Sequence, residues 1–147
     1  MKNLLIFSTL MFIAVTHANA GESKQIKIKR AMAAAPEAIS AQATIMDTDG
    51  SILKQGSNGW TCLPDVMPGD KNPICNDATW MKAIQALGKK APFETQNIGI
   101  SYMLKGDFGA GVSNSDPYHA EHKNATDYVE TGPHLMIIVP KNMLKGL

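Results

Sequence analysis

Short apolar runs separated by long polar stretches set the pattern of this chain, and only one run carries a clear helical period. Trp80, Ile84 and Leu87 recur at i, i+4 and i+7, with Met81 and Ala83 beside them. That spacing predicts an amphipathic helix over Ala78–Leu87, capped by Asp77 and closed by Gly88 and the Lys89-Lys90 pair, with Pro92 preventing continuation. Ala43–Met46 and Ser51–Lys54 flank the turn sequence Asp47-Thr-Asp-Gly50 and predict a hairpin. Asn97–Leu104 reads as a further strand. Leu135–Val139 is apolar at every position, the pattern of a strand covered on both faces. Pro36 suits the first position of a short helical turn ending near Ile39. Residues 21–35 read as an N-terminal tail or linker, with Lys24–Arg30 either solvated or an edge strand guarded by its lysines.

Between hairpin and helix lies Asn58–Trp80 (NGWTCLPDVMPGDKNPICNDATW), which has neither period. It holds Cys62 and Cys75, the two cysteines of the chain, together with both tryptophans. A loop this long inside a compact domain must be tied down, and in an oxidising compartment a Cys62–Cys75 disulfide is the simplest tie. Closing a loop of this size removes chain entropy worth roughly 3 kcal/mol. The competing readings are a thiolate metal site and a redox pair, although the spacing matches neither C-x-x-C nor a paired C-x-x-C.

The first 20 residues change the picture by supplying an address. Lys2 precedes the apolar run Leu4–Val15, and Ala18-Asn-Ala20 gives a small-x-small cleavage pattern, so residues 1–20 read as a signal peptide. The run is short for a bilayer span, and no later stretch approaches one. The expected location is therefore periplasmic or extracellular. Removing 20 of 147 residues leaves 127, enough for one domain over 36–147 with one core. Without Lys2, 13 basic residues face 13 acidic ones, a balance that does not point to nucleic acid. The expected partner is a small ligand or a protein of the cell envelope. The basic run Lys24–Arg30 could also touch an acidic lipid or cell-wall surface.

Candidate chemistry concentrates in the polar excursion from Lys105 to His134. His119 and His122 are three apart behind Asp116-Pro117, a helix-start dipeptide, so a helix there would put both imidazoles on one face. With His134, or with Asp116 or Asp127, they could hold zinc or copper and support a metal-dependent hydrolase. The methionines are scattered and four of them lie in apolar runs, which suits core filling better than copper ligation. Asp47-x-Asp-Gly50 lacks the glutamate of a calcium loop. Gly106–Gly111 follows a strand without opening a helix, and Ser113 and Ser115 lie outside any G-x-S-x-G elbow. The alternative is non-catalytic: Trp60 as an aromatic anchor, with Asn114, Asp116 and His134 as polar contacts, on loops flanking apolar strands.

Several blocks also resemble a family of small, uncharacterised exported bacterial proteins. They are Ala43-Thr-Ile-Met-Asp47, Asn58-Gly-Trp-Thr-Cys-Leu-Pro-Asp65, Ile98–Leu104, Ser113-Asn-Ser-Asp-Pro117 and Gly132-Pro-His-Leu-Met136. The resemblance implies no activity. It does imply a longer chain, since similar proteins continue with a glycine- and aromatic-rich segment, which would leave an apolar strand here with an open edge. Together these readings predict a small α+β domain: a mostly antiparallel sheet, one main helix and a disulfide-pinned long loop across one end. The function expected is that of a non-catalytic binding module, with a histidine-based metal protein as the alternative.

Overall fold

A computed structural model describes residues 21–109, 111–113, 115–116 and 118–145. The proposed signal peptide therefore lies outside the described residues, as does Asn114. Helices and strands are mixed, and the sheet has six strands rather than a few. In chain order the elements are α1 (Lys24–Met32), α2 (Glu37–Ser40), β1 (Thr44–Met46), β2 (Ile52–Lys54), β3 (Thr61–Leu63), β4 (Ile74–Asn76), α3 (Ala78–Gly88), β5 (Gly99–Met103), β6 (Val112–Ser113), β7 (Tyr128–Val129) and β8 (His134–Ile138). The large sheet runs β2-β1-β3-β4-β5-β8, and β6-β7 form a separate ribbon. All neighbours are antiparallel except β1 and β3.

The stretch expected to lie as a long loop is instead the centre of this sheet. β3 and β4 pair in register with Cys62 directly opposite Cys75, and the two are joined by a disulfide. Three-residue strands are too short to show a period of two, which is why the pattern did not reveal them. Register places Ile45, Cys62, Cys75, Tyr102 and Leu135 in one row across five strands, all on one face. The opposite face carries the row Thr44, Thr61, Asn76, Ser101 and Met136, in which the buried Ser101 hydroxyl donates to Asn76 Oδ1 at 2.6 Å.

Each face has its own helix. Lys24–Met32 is helical and not a tail: α1 lies over β1, β2, β3 and β4, its start capped by the Ser23 hydroxyl. Ile28, Ala31, Met32 and Ala35 follow the i, i+3, i+4, i+7 rule and pack on the row of Ile45, Cys62 and Cys75, with Trp60 and Tyr102 at its border. α3 takes the other face, where Met81 and Ile84 meet Leu63, Ile74, Met103 and Met136. Asp77 joins that helix to the sheet. One carboxylate oxygen accepts from Trp80 N–H as the cap at 2.8 Å, and the other accepts from Ile100 N–H at 2.7 Å.

Expectations for β8 need correction as well. It is an edge strand, and although Met136 packs against the cluster beneath α3, Leu135 and Ile137 on the other side are 50% and 58% exposed. Apolar sequence at every position does not here mean that both faces are covered.

The crossing from the β1–β2 hairpin to β3 depends on one glycine. To bring β3 parallel to β1, the chain passes over the start of β1 at Gly56, whose N–H donates to Thr44 Oγ1 at 3.1 Å. A Cβ at position 56 would stand 2.2 Å from backbone atoms of both Ala43 and Thr44. Backbone on that side is fixed by two strands and cannot yield. Gly56→Ala is expected to lower unfolding stability by about 2–3 kcal/mol. Urea denaturation measures it; a midpoint equal to that of the parent would show that the crossing has slack.

Candidate functional site

Polar and charged side chains gather on the outer side of α1, in the excursion between β5 and β8, and in an open pocket of about 350 Å3 beside the end of β8 that Glu94, Gln96, Lys141 and Lys145 help to line. On α1, Ile26, Lys29, Arg30 and Ala33 form the stripe opposite the core-facing one. With Lys71, Pro73 and Lys105 they line an open groove of about 530 Å3. Ile26, Ala33 and Pro73 give it an apolar lining, and Lys29, Arg30, Lys71 and Lys105 a cationic one.

Arg30 is the fixed point of that groove. Its Nε–H donates to the Pro64 carbonyl at 2.9 Å, and its terminal nitrogens pair with Glu22 and with Asp65, the latter at 3.1 Å. Hydrogen bonding from Arg30 holds the Glu22 carboxyl below its ordinary range, while the same bond raises the Arg30 guanidinium. Asp65, itself buried, also accepts from Lys71 N–H at 2.8 Å. Asp70 accepts from the N–H groups of Val66, Met67 and Asn72. These two aspartates knit the turn between β3 and β4 and hold Lys71 in a left-handed conformation, φ 59°. The three lysines differ from Arg30: Lys29, Lys71 and Lys105 make no ion pair among the described residues.

In the excursion, the expected helix carrying His119 and His122 is absent. Turns lead to one turn of 3-10 helix at His122–Asn124. The imidazoles still lie near each other, ring centroids 6.3 Å apart. Their Nδ1 atoms are both occupied, His119 accepting from Glu121 N–H at 3.1 Å and His122 from Ser113 N–H at 3.3 Å. A neutral ring that accepts at Nδ1 carries its proton on Nε2, and it then has no free lone pair for a metal ion. His134 is the reverse case. Its Nδ1 lies 2.7 Å from the Gly132 carbonyl and must donate, which leaves Nε2 as an acceptor. Among the described residues no three His, Cys, Asp or Glu side chains are grouped as zinc or copper would require.

Ser113, His122 and Asp127 resemble a hydrolytic triad by residue type but not by connection. The Ser113 hydroxyl donates to Asp127 at 2.8 Å, so its proton faces the carboxylate and not an imidazole. It also accepts from Asp116 N–H, while the second Asp127 oxygen accepts from Ser115 N–H. This is a loop staple joining β6 to the approach of β7. Of the residues expected to form a binding face, Trp60, Asp116 and His134 each make a local contact, and Asn114 lies outside the described residues. Trp60 packs beside the disulfide with its ring 5.6 Å from that of Tyr102. Asp116 accepts from Tyr118 N–H, and His134 is tied to Gly132. Among the described residues, no hydrogen bond joins any two of the three.

Comparison with protein-family models, curated proteins and solved structures finds no match to this chain. Any functional reading must therefore come from the chain's own side chains.

Sequence reasoning missed the α1 groove, yet a signal was present. Ser23 as a cap followed by Ile28, Ala31, Met32 and Ala35 is a helix start with a core stripe, but the lysines among them read as a solvated run. Hydrogen bonds from Ser115 first and Ser113 second hold the pKa of the Asp127 carboxyl down to about 2. A folded-state value below the ordinary 3.8 means that this carboxylate stabilises the loop above that pH, and the contribution disappears as pH falls through about 2. An NMR titration of the Asp127 carboxyl carbon should have its midpoint near 2, moving up in Ser113→Ala. A midpoint in the ordinary aspartate range in the parent chain would show that the staple does not form.

Proposed function

We propose that the chain is an exported, non-catalytic binding module whose ligand is an anion with an apolar portion, held in the groove beside α1. The observation that carries this reading is that Lys29, Lys71 and Lys105, which make no ion pair among the described residues, line one groove with the apolar Ile26, Ala33 and Pro73. Hydrophobic contact and charge then act on one ligand, as they do for an acidic lipid at a membrane surface. Arg30 has a different role, because Glu22 and Asp65 already neutralise it and it fixes the groove wall. The leader pattern of residues 1–20 and the disulfide support a place outside the cytoplasm.

Trp60, Asp116 and His134 contribute to this reading as scaffold, since each is engaged locally. Ser113 and Asp127 hold a loop. The lysines are the groups left with charge to spare.

Near an anionic surface each lysine contributes about 1 kcal/mol, so the triple variant Lys29→Gln/Lys71→Gln/Lys105→Gln should lose about a hundredfold in affinity. Co-sedimentation of the secreted chain with vesicles of phosphatidylglycerol in phosphatidylcholine measures this. Binding should weaken with added salt and be absent on phosphatidylcholine alone. Equal binding to neutral vesicles, or no difference between the triple variant and the parent, would refute the reading.

A further inference from the structure

The open edge of β8 has none of the devices that close the sheet at its other end. β2, the opposite edge, is three residues long, ends on Lys54 and meets β1 through a register irregularity. Short length, a lysine and a bulge are the usual means by which an edge avoids pairing with another chain. β8 has five residues, His134-Leu-Met-Ile-Ile138, with no formally charged side chain and no proline within it, and its pairing to β5 is unbroken over all five. Among the described residues no strand pairs with its outer side, and the main contacts of α1 are with β1 to β4. Ile98, Leu135, Ile137 and Val139 are all exposed, and by strand alternation they lie on the same side as Tyr102. A run that is apolar at every position thus stands where an edge strand should alternate.

We propose that β8 is the pairing edge of a symmetric dimer, in which it binds antiparallel to β8 of a second copy and the two sheets become one. The occupant follows from the sequence of the edge. Around a twofold axis at Met136, Leu135 falls opposite Ile137 of the second copy and Ile137 opposite Leu135, so apolar side chains meet apolar ones and no like charges face each other. The outward backbone N–H and C=O groups, which the sheet leaves without a strand partner, find one in the second copy. A stable dimer needs an interface on the order of 1,000 Å2 or more, so the ribbon must be joined by the exposed apolar side chains beside it, Ile98 and Val139. Closure by a twofold axis uses up both open edges. Growth therefore stops at two.

Sedimentation velocity of the disulfide-bonded chain, from about 2 to 200 µM, tests this. The expected result is a monomer–dimer equilibrium within that range and nothing larger. Ile137→Lys should give monomer throughout, while Ile52→Lys, on the guarded edge, should dimerise like the parent. Leu135→Glu serves as a second break should Ile137→Lys fail to fold by circular dichroism. Amides of 134–138 should exchange more slowly at the high end of the range, which separates strand pairing from face-to-face stacking. Monomer at 200 µM, open-ended assemblies, dimers that persist in both β8 variants, or exchange independent of concentration would each overturn the proposal.

Discussion

The sheet depends on a covalent bond between its two innermost strands. β3 and β4 have three residues each, and short strands hold register weakly because few side chains report a slip. The bond from Cys62 to Cys75 removes that freedom at the place where every other strand takes its alignment. Through β3 it sets β1, where Ile45 lies beside Cys62, and through β4 it sets β5, where Tyr102 lies beside Cys75. A slip of one residue would send Asn76 and Thr61 toward the α1 side and the sulfurs toward α3. The crosslink excludes that alternative.

With register fixed, the two faces acquire different duties. The sulfur row is roofed by α1 and bordered by the partly buried Trp60 and Tyr102, whose rings pack beside the bond. α1 can then present its other stripe outward, and Arg30 locks the helix to the turn carrying Asp65 and Lys71. The groove is thus a by-product of docking a basic helix beside a crosslinked ribbon. On the second face, Asp77 ties α3 to β5 through both carboxylate oxygens. Both helices stop short of covering the outward side of β8, and that gap gives the molecule its exposed apolar strip.

Much of this was legible in the chain. The hairpin Ala43–Lys54, the helix after Asp77 and the strands near 99–103 and 134–138 all follow from period and turn chemistry. The pairing of Cys62 with Cys75 followed from their number. What was not legible had physical reasons. β3 and β4 are shorter than one useful sample of a two-residue period, so they resembled loop. α1 carries lysines between its core residues, and charge density masked a helical stripe. Trp60 and His134 are residue types common at sites, but sequence alone could not show the neighbours they touch, Tyr102 and the Gly132 carbonyl. The lysine groove draws on α1, the segment before β4 and the turn after β5, and only the fold brings these together.

The central claim is that the Cys62–Cys75 bond fixes the sheet, and thermal unfolding with the bond intact and reduced tests it most directly. Opening a loop of this size returns chain entropy worth roughly 3 kcal/mol, which for a domain of this length corresponds to a fall in Tm of about 10 °C. The account predicts a drop of that order, with loss of cooperativity in the β-sheet signal. Coincident melting curves for the two forms would contradict it.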